Sequence, residues 1–293
     1  MNDWTIPDGV STFDCGGYPI AYVERGSGHT VVLVHGSLGD YRAWAPQLDA
    51  LSDAYRMIAL SQRHCFPEPW DGNGDGYSIE QHASDLLRFV EWLGVPVTLL
   101  GFSRGGVVAT EAVRSRPDLF ASLVLVEPGL FSLLSTDGRP FEDPATAAAA
   151  SAAELISGGD LEGGLRCLID SAGGAGAWDN VPEERRALRR ANAWTLAGQA
   201  RERRPRLSST DLKPLQMPIM LCAGERGMAR YKEILDAIQA CLPHAERVTI
   251  PGAGHVMNAT HPDAFNAVLR SFLKRREGRG LHTTHCRPRA WSR

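Results

Sequence analysis

The residues of this chain best suited to chemistry are a serine framed by glycines and a histidine far downstream of it. Ser103 stands in Gly101-Phe102-Ser103-Arg104-Gly105, between the apolar run Val97-Thr98-Leu99-Leu100, which reads as a buried strand, and residues 107–114, which read as a helix. A turn that sharp holds its serine in a strained backbone conformation, and glycines two residues to either side let neighbouring backbone approach without a Cβ clash. The hydroxyl is then presented at the amino end of a helix, where the helix dipole favours developing negative charge. A serine hydroxyl is a poor nucleophile until a base takes its proton, and imidazole has the pKa for that task near neutrality. Of the nine histidines, His255 is the candidate base, at the end of a Pro251-Gly252-Ala253-Gly254 loop that follows the strand-like Val248-Thr249-Ile250.

These groups need elements to hold them. Apolar runs predict strands at 20–25, 31–34, 55–60, 97–100, 122–126, 218–222 and 247–250. Helical spacing predicts helices at 44–51, 107–114, 229–241 and 262–275, and one at 79–93 that opens on a Ser78–Gln81 capping box and stops at Gly94-Val95-Pro96. Strand and helix alternating at this pitch mean right-handed crossovers. The fold class is therefore α/β, a mostly parallel central sheet with helices on both faces. Residues 62–77 form a long loop rich in proline, glycine and acidic residues. From 131 to 212 the pattern changes to helices at 145–156, 161–170 and 183–199 with no strand candidate, which predicts a helical cap insertion. The core is then 1–130 and 213–275, the cap 131–212, and the basic, aperiodic 276–293 a disordered tail.

Composition excludes several function classes. An apolar share of 43% with no long apolar run argues against a membrane protein. A formal charge of -3 offers nothing general to nucleic acid or anionic lipid, and leaves a small, uncharged or weakly charged molecule as the expected partner. The opening Met-Asn-Asp-Trp-Thr-Ile-Pro-Asp has neither a basic nor an apolar leader region, so a cytoplasmic location is the expectation. Six cysteines scattered without a CxxC spacing read as reduced thiols. No metal or cofactor is expected. His282, His285 and Cys286 in the tail fall short of four fixed ligands, and the glycine-rich 26–28 and 72–76 lack the strand-to-helix placement that phosphate binding requires.

His35-Gly36-Ser37 after the third core strand, the turn at 101–105, and Gly252-Ala253-Gly254-His255 after the last strand together make the chain resemble the α/β-hydrolase superfamily, over roughly residues 10–275. The resemblance implies Ser103 as nucleophile, His255 as general base, and an oxyanion hole formed by the backbone N–H groups of Ser37 and Arg104, with His35 bracing that loop. It also implies a carboxylate that orients His255, usually as the aspartate of a Gly-x-x-Asp loop after the strand that follows the insertion. Here that loop reads Gly224-Glu225-Arg226-Gly227, with glycine where the aspartate is expected. Some members carry the acid one strand earlier, where this chain has Val126-Glu127-Pro128-Gly129, so Glu127 is the first candidate and Glu225 the second.

The activity implied is hydrolysis of a small carboxylic ester or lactone through an acyl-enzyme. The alternatives on the same fold are a small-molecule receptor and a lyase. A serine at the turn argues against the aspartate-nucleophile branches, the haloalkane dehalogenases and epoxide hydrolases. A cap over the carboxyl ends of the strands makes Trp178, Trp194 and Leu196 candidates for lining an acyl pocket. His64 is a candidate substrate contact, and Phe66 and Trp70 are candidates for its entrance.

Overall fold

Strands that are apolar on both faces require cover on both faces, and this requirement organises the molecule. The computed structural model describes residues 5–135 and 143–277. Its first half runs β1 (Ser11–Asp14), β2 (Pro19–Arg25), β3 (Thr30–Val34), α1 (Ala45–Leu51), β4 (Arg56–Leu60), α2 (Ile79–Leu93), β5 (Val97–Phe102), α3 (Arg104–Ser115) and β6 (Phe120–Val126). Helices α4 (Pro144–Ser157), α5 (Leu161–Gly173), α6 (Glu183–Ala191), α7 (Thr195–Arg201) and α8 (Ser209–Leu212) follow. The chain then returns through β7 (Ile219–Gly224), α9 (Ala229–Cys241), β8 (Glu246–Ile250), α10 (Met257–Thr260) and α11 (Pro262–Glu277).

The eight strands lie in the order β1-β2-β4-β3-β5-β6-β7-β8. Strands β1, β2 and β4 pair antiparallel and every other neighbouring pair is parallel. Alternate side chains of β3, β5 and β6 leave the sheet on opposite sides. Val32, Val34, Leu99, Leu123 and Leu125 join α2, α3 and α9 in one core, while Val31, Leu33, Leu100, Val124 and Val126 join α1 and α11 in the other.

From β3 the chain moves to β4 on one side and later places β5 on the other, so a crevice opens where the two directions part, at the carboxyl ends of β3 and β5. The segments carrying Ser37, Ser103, Glu127 and His255 leave the carboxyl ends of β3, β5, β6 and β8. The helices between β6 and β7 gather round an apolar cluster of their own, containing Ile156, Leu165, Trp178 and Leu196, into which Leu38 from the loop after β3 is inserted.

Three details differ from the sequence expectation. Strand β1 was not anticipated; it is a short edge strand, mostly exposed, without the apolar alternation that marks a buried one. The helix expected at 183–199 is two helices, parted at Asn192, whose amide donates to Asp40 Oδ2 (2.7 Å) and accepts from the Phe66 N–H (2.8 Å). Helix α11 extends through Glu277, two residues into the expected tail, and the rest of that tail, with His282, His285 and Cys286, lies outside the described residues. Five cysteines are free among the described residues, and no helix there is long and apolar enough to cross a membrane.

Arg104, the first residue of α3, ties this helical segment to the sheet. Its guanidinium is buried, donates through Nε to Glu202 Oε2 (2.9 Å) just past α7 and through Nη1 to Gln62 Oε1 (2.9 Å), and lies over the Tyr77 ring. Burial alone would lower the arginine pKa; Glu202 more than offsets it and the guanidinium stays charged. The sequence assigned work only to the backbone of Arg104 and left its side chain without a role. Removing one member of a buried pair strands the other, so Arg104→Ala should lose about 3 kcal/mol of stability in urea unfolding. A loss below about 1 kcal/mol, the size of a surface pair, would contradict the tie.

Candidate active site

Ser103 occupies the turn between β5 and α3 at φ 52° and ψ −117°, outside the regions open to most residues. Its N–H donates to the Val126 carbonyl (3.0 Å), and its own carbonyl accepts from the N–H groups of Gly106 (2.9 Å) and Gly129 (3.0 Å). A Cβ at Gly105 would lie 2.3 Å from the His35 carbonyl oxygen, so only glycine lets the end of β3 pack against the turn. Among the described residues the non-glycine positions with positive φ are Leu38, His64, Ser103 and Glu127. Three of these four flank the crevice, where surrounding contacts over-determine the strain.

The imidazole of His255 donates from Nδ1 to Glu127 Oε2 at 2.6 Å, and Glu127 is fully buried. The second carboxylate oxygen, Oε1, accepts from the Gly224 N–H at the end of β7 (2.9 Å). Glu225 is exposed and points elsewhere, accepting from the Gly252 N–H (2.7 Å) and so fastening the His255 loop from outside. A Cβ at Gly227 would lie 2.2 Å from Glu127 Oε1. The glycine at the position where the resemblance expects an aspartate thus leaves room for a carboxylate that arrives from the neighbouring strand.

The His255 ring lies between two aromatic rings, Phe102 (centroids 4.9 Å apart) and Tyr231, which is stacked on it at 4.4 Å and 17°. Burial pushes the Tyr231 phenol up to about 12, so it stays neutral. Sequence reasoning missed Tyr231. Its only signal was a place on the buried face of α9 with Ile234, Leu235 and Ile238, which says nothing of the ring it packs against.

Ser37 and Ser103 line one cavity, and Arg104 as the first residue of α3 has an N–H with no acceptor within the helix. Beneath this loop His35 is buried. Its Nε2 accepts from the Gln62 N–H (3.0 Å), which leaves Nδ1–H to donate to the Gly36 carbonyl (2.8 Å). Burial lowers the His35 pKa to about 4, so the ring is neutral and both bonds persist at pH 7. In this geometry a nucleophile, an imidazole oriented by a carboxylate, and unpaired amides can converge on one carbonyl group.

The cavity has a volume of about 450 Å³ and is walled by Ser103, His255, Tyr231, Phe131, Leu168 and Ile169 among others. Trp178, Trp194 and Leu196 are not in its wall. Trp178 and Leu196 are buried in the apolar cluster of the helical segment, and Trp194 is 48% exposed on the outside. Bulk and helical spacing marked these side chains as apolar without fixing which side of the segment they face. His64 is not in the wall either. It braces the long loop, with Nε2–H donating to the Asp75 carbonyl (2.9 Å) and its backbone N–H to Glu68 (2.7 Å). Trp70 packs on His64, and Phe66 lies under the Arg42 guanidinium.

The pattern of the alpha/beta hydrolase family matches residues 31–268, which is most of the chain. The protein belongs to this family. Among solved structures, an esterase from Thermogutta terrifontis is 25% identical, with a TM-score of 0.72 over 91% of this chain and 97% of that one. A bromoperoxidase from Bacillus anthracis superposes at a TM-score of 0.73 with 24% identity, over 90% and 99% of the two chains, a likeness of fold. An (E)-2-((N-methylformamido)methylene)succinate hydrolase of Acinetobacter baylyi is 23% identical over 266 residues, 86% of this chain and 93% of that one.

In this α/β hydrolase, Gly227→Ala sets a methyl group against the Glu127 carboxylate and should displace it from His255. A misplacement of that size should lower kcat on p-nitrophenyl acetate on the order of 10²-fold. An unchanged kcat in a folded Gly227→Ala protein would contradict the coupling between position 227 and His255.

Proposed function

We propose that this α/β hydrolase cleaves a small carboxylic ester or lactone through an acyl-enzyme, with Ser103 as nucleophile, His255 as general base and Glu127 as the acid that orients it. The observation that carries the reading is the 2.6 Å bond from His255 Nδ1 to the buried Glu127, with His255 and Ser103 lining one cavity. With Nδ1 committed, Nε2 is the nitrogen available to take the Ser103 proton as Oγ attacks the substrate carbonyl. The oxyanion that forms accepts hydrogen bonds from the Ser37 and Arg104 N–H groups. Collapse expels the alcohol, which takes the proton from His255. Water then enters by the same route in reverse, giving a carboxylic acid and free enzyme. Glu127 holds the tautomer and stabilises the imidazolium without itself taking the proton. Tyr231 acts through its stack on His255, which holds the imidazole in plane.

The segment 131–212 is proposed as a cap on a core of 1–130 and 213–275; residues of α5, among them Leu168 and Ile169, line the cavity from that side. The hydrolase and esterase names of the relatives support bond hydrolysis over the receptor and lyase uses of the fold.

The test is labelling with a fluorophosphonate followed by peptide mapping, alongside turnover of p-nitrophenyl acetate. The adduct should map to Ser103, and Ser103→Ala should abolish both labelling and turnover. Glu127→Gln should lower kcat by up to ~10⁴-fold and Glu225→Gln should have a small effect. Full turnover in Ser103→Ala, or the reverse order for the two glutamates, would overturn the assignment.

A further inference from the structure

We infer that the substrate carries a carboxylate besides the bond that is cleaved, and that Arg185 and Arg189 of α6 bind it. The inference rests on the hydrolase reading above and names the substrate class for that site.

The wall of the cavity holds Arg185, Arg189, Arg204, Arg226 and Arg230, and among the described residues neither Asp nor Glu. Arg204 shares carboxylates, with Glu202 at 3.0 Å and Asp143 at 3.7 Å. The other four have no carboxylate within 4.0 Å among the described residues. This is not the habit of the chain. On its surface Arg56 pairs with Glu24, Arg116 with Asp118 and Arg166 with Asp179. Nor does overall basicity account for it, since the formal charge is -3. The sequence expectation of an uncharged or weakly charged ligand came from that total, which sums over the whole surface and is blind to one cationic wall.

Arg185 and Arg189 are four residues apart on α6, so they share a face, and like charges at this spacing cost a few tenths of a kcal/mol. Backbone carbonyls hold both guanidiniums in place without neutralising them. Arg189 Nη1 donates to the carbonyls of Leu38 (3.0 Å) and Ser37 (3.4 Å), and Arg185 Nη1 to that of Ala43 (3.5 Å). Burial first, and then the charge of Arg185, push the Arg189 pKa down to about 10, and the charge of Asp40 offsets this only in part. A substrate carboxylate supplies that charge, and guanidinium forks suit its planar geometry. Because Arg189 is fastened to the carbonyl of Ser37, the anchor is built on the loop whose N–H is assigned to the oxyanion. The carboxylate is a spectator: hydrolysis adds water across the ester bond and releases an alcohol and a second carboxylate.

The experiment compares mono-p-nitrophenyl glutarate with p-nitrophenyl valerate, its neutral counterpart, at fixed ionic strength. The wild type should favour the anionic ester in kcat/KM by about tenfold or more, the worth of a charge-assisted hydrogen bond. Arg185→Gln and Arg189→Gln should each lower that ratio by about tenfold, chiefly through KM, and added salt should lower it in the wild type. Arg185 makes a single long contact to the fold, so Arg185→Gln keeps the test open if Arg189→Gln does not fold. A second arm needs no catalysis: glutarate should raise the Tm of Ser103→Ala above sodium chloride of equal ionic strength, and the rise should vanish when Arg185→Gln is added. This arm reads the anion site even if Ser103 is not the nucleophile. Equal or poorer kcat/KM for the anionic ester would overturn the inference. So would a Tm rise with inorganic phosphate that equals the rise with glutarate.

Discussion

A carboxylate sealed inside a protein is costly unless its charge is met, and Glu127 is sealed completely. Its partners are an imidazole proton from His255 and a backbone N–H from Gly224. Much of the surrounding structure is arranged around that pair. Position 227 must be glycine for the carboxylate to fit, β7 must end where its last amide meets Oε1, and the loop after β8 must return far enough to bring the ring across. Two aromatic rings, Phe102 and Tyr231, then pack against the imidazole and fix its plane.

The sheet explains why such a constellation can be assembled from positions so far apart in sequence. Parallel strands place successive strand ends on one edge, and the departure of β4 and β5 to opposite sides of β3 leaves that edge open. Strain collects there too, at Leu38, Ser103 and Glu127. Each is anchored by something rigid: Leu38 by the apolar cluster of the helical segment, Ser103 by the Val126 carbonyl, Glu127 by an N–H bond to the Cys222 carbonyl. The helical segment is bonded to the same edge by the Arg104–Glu202 pair, so the turn that carries Ser103 and the helices above it form one unit.

The strands were legible in the sequence because burial on both faces leaves unbroken apolar runs, and Ser103 was legible because its turn tolerates only glycine at nearby positions. The pairing of Glu127 with His255 was half visible, through the glycine at 227 that opened the question of where the acid lies. What stayed hidden depends on direction or on distant partners. Trp178 and Trp194 announced bulk, not the side of the segment they face. The break at Asn192 is made by Asp40 and Phe66, more than a hundred residues away. The cationic wall was invisible to a net charge, and the stack of Tyr231 on His255 to a helical repeat.

The central claim is that Glu127 holds the proton on His255 Nδ1, and proton NMR of the resting enzyme with 15N-labelled histidine tests it directly. A far-downfield N–H resonance belonging to His255 Nδ1 should be present in the wild type and in Glu225→Gln, and should move upfield or vanish in Glu127→Gln. A resonance indifferent to Glu127→Gln but lost in Glu225→Gln would contradict the account.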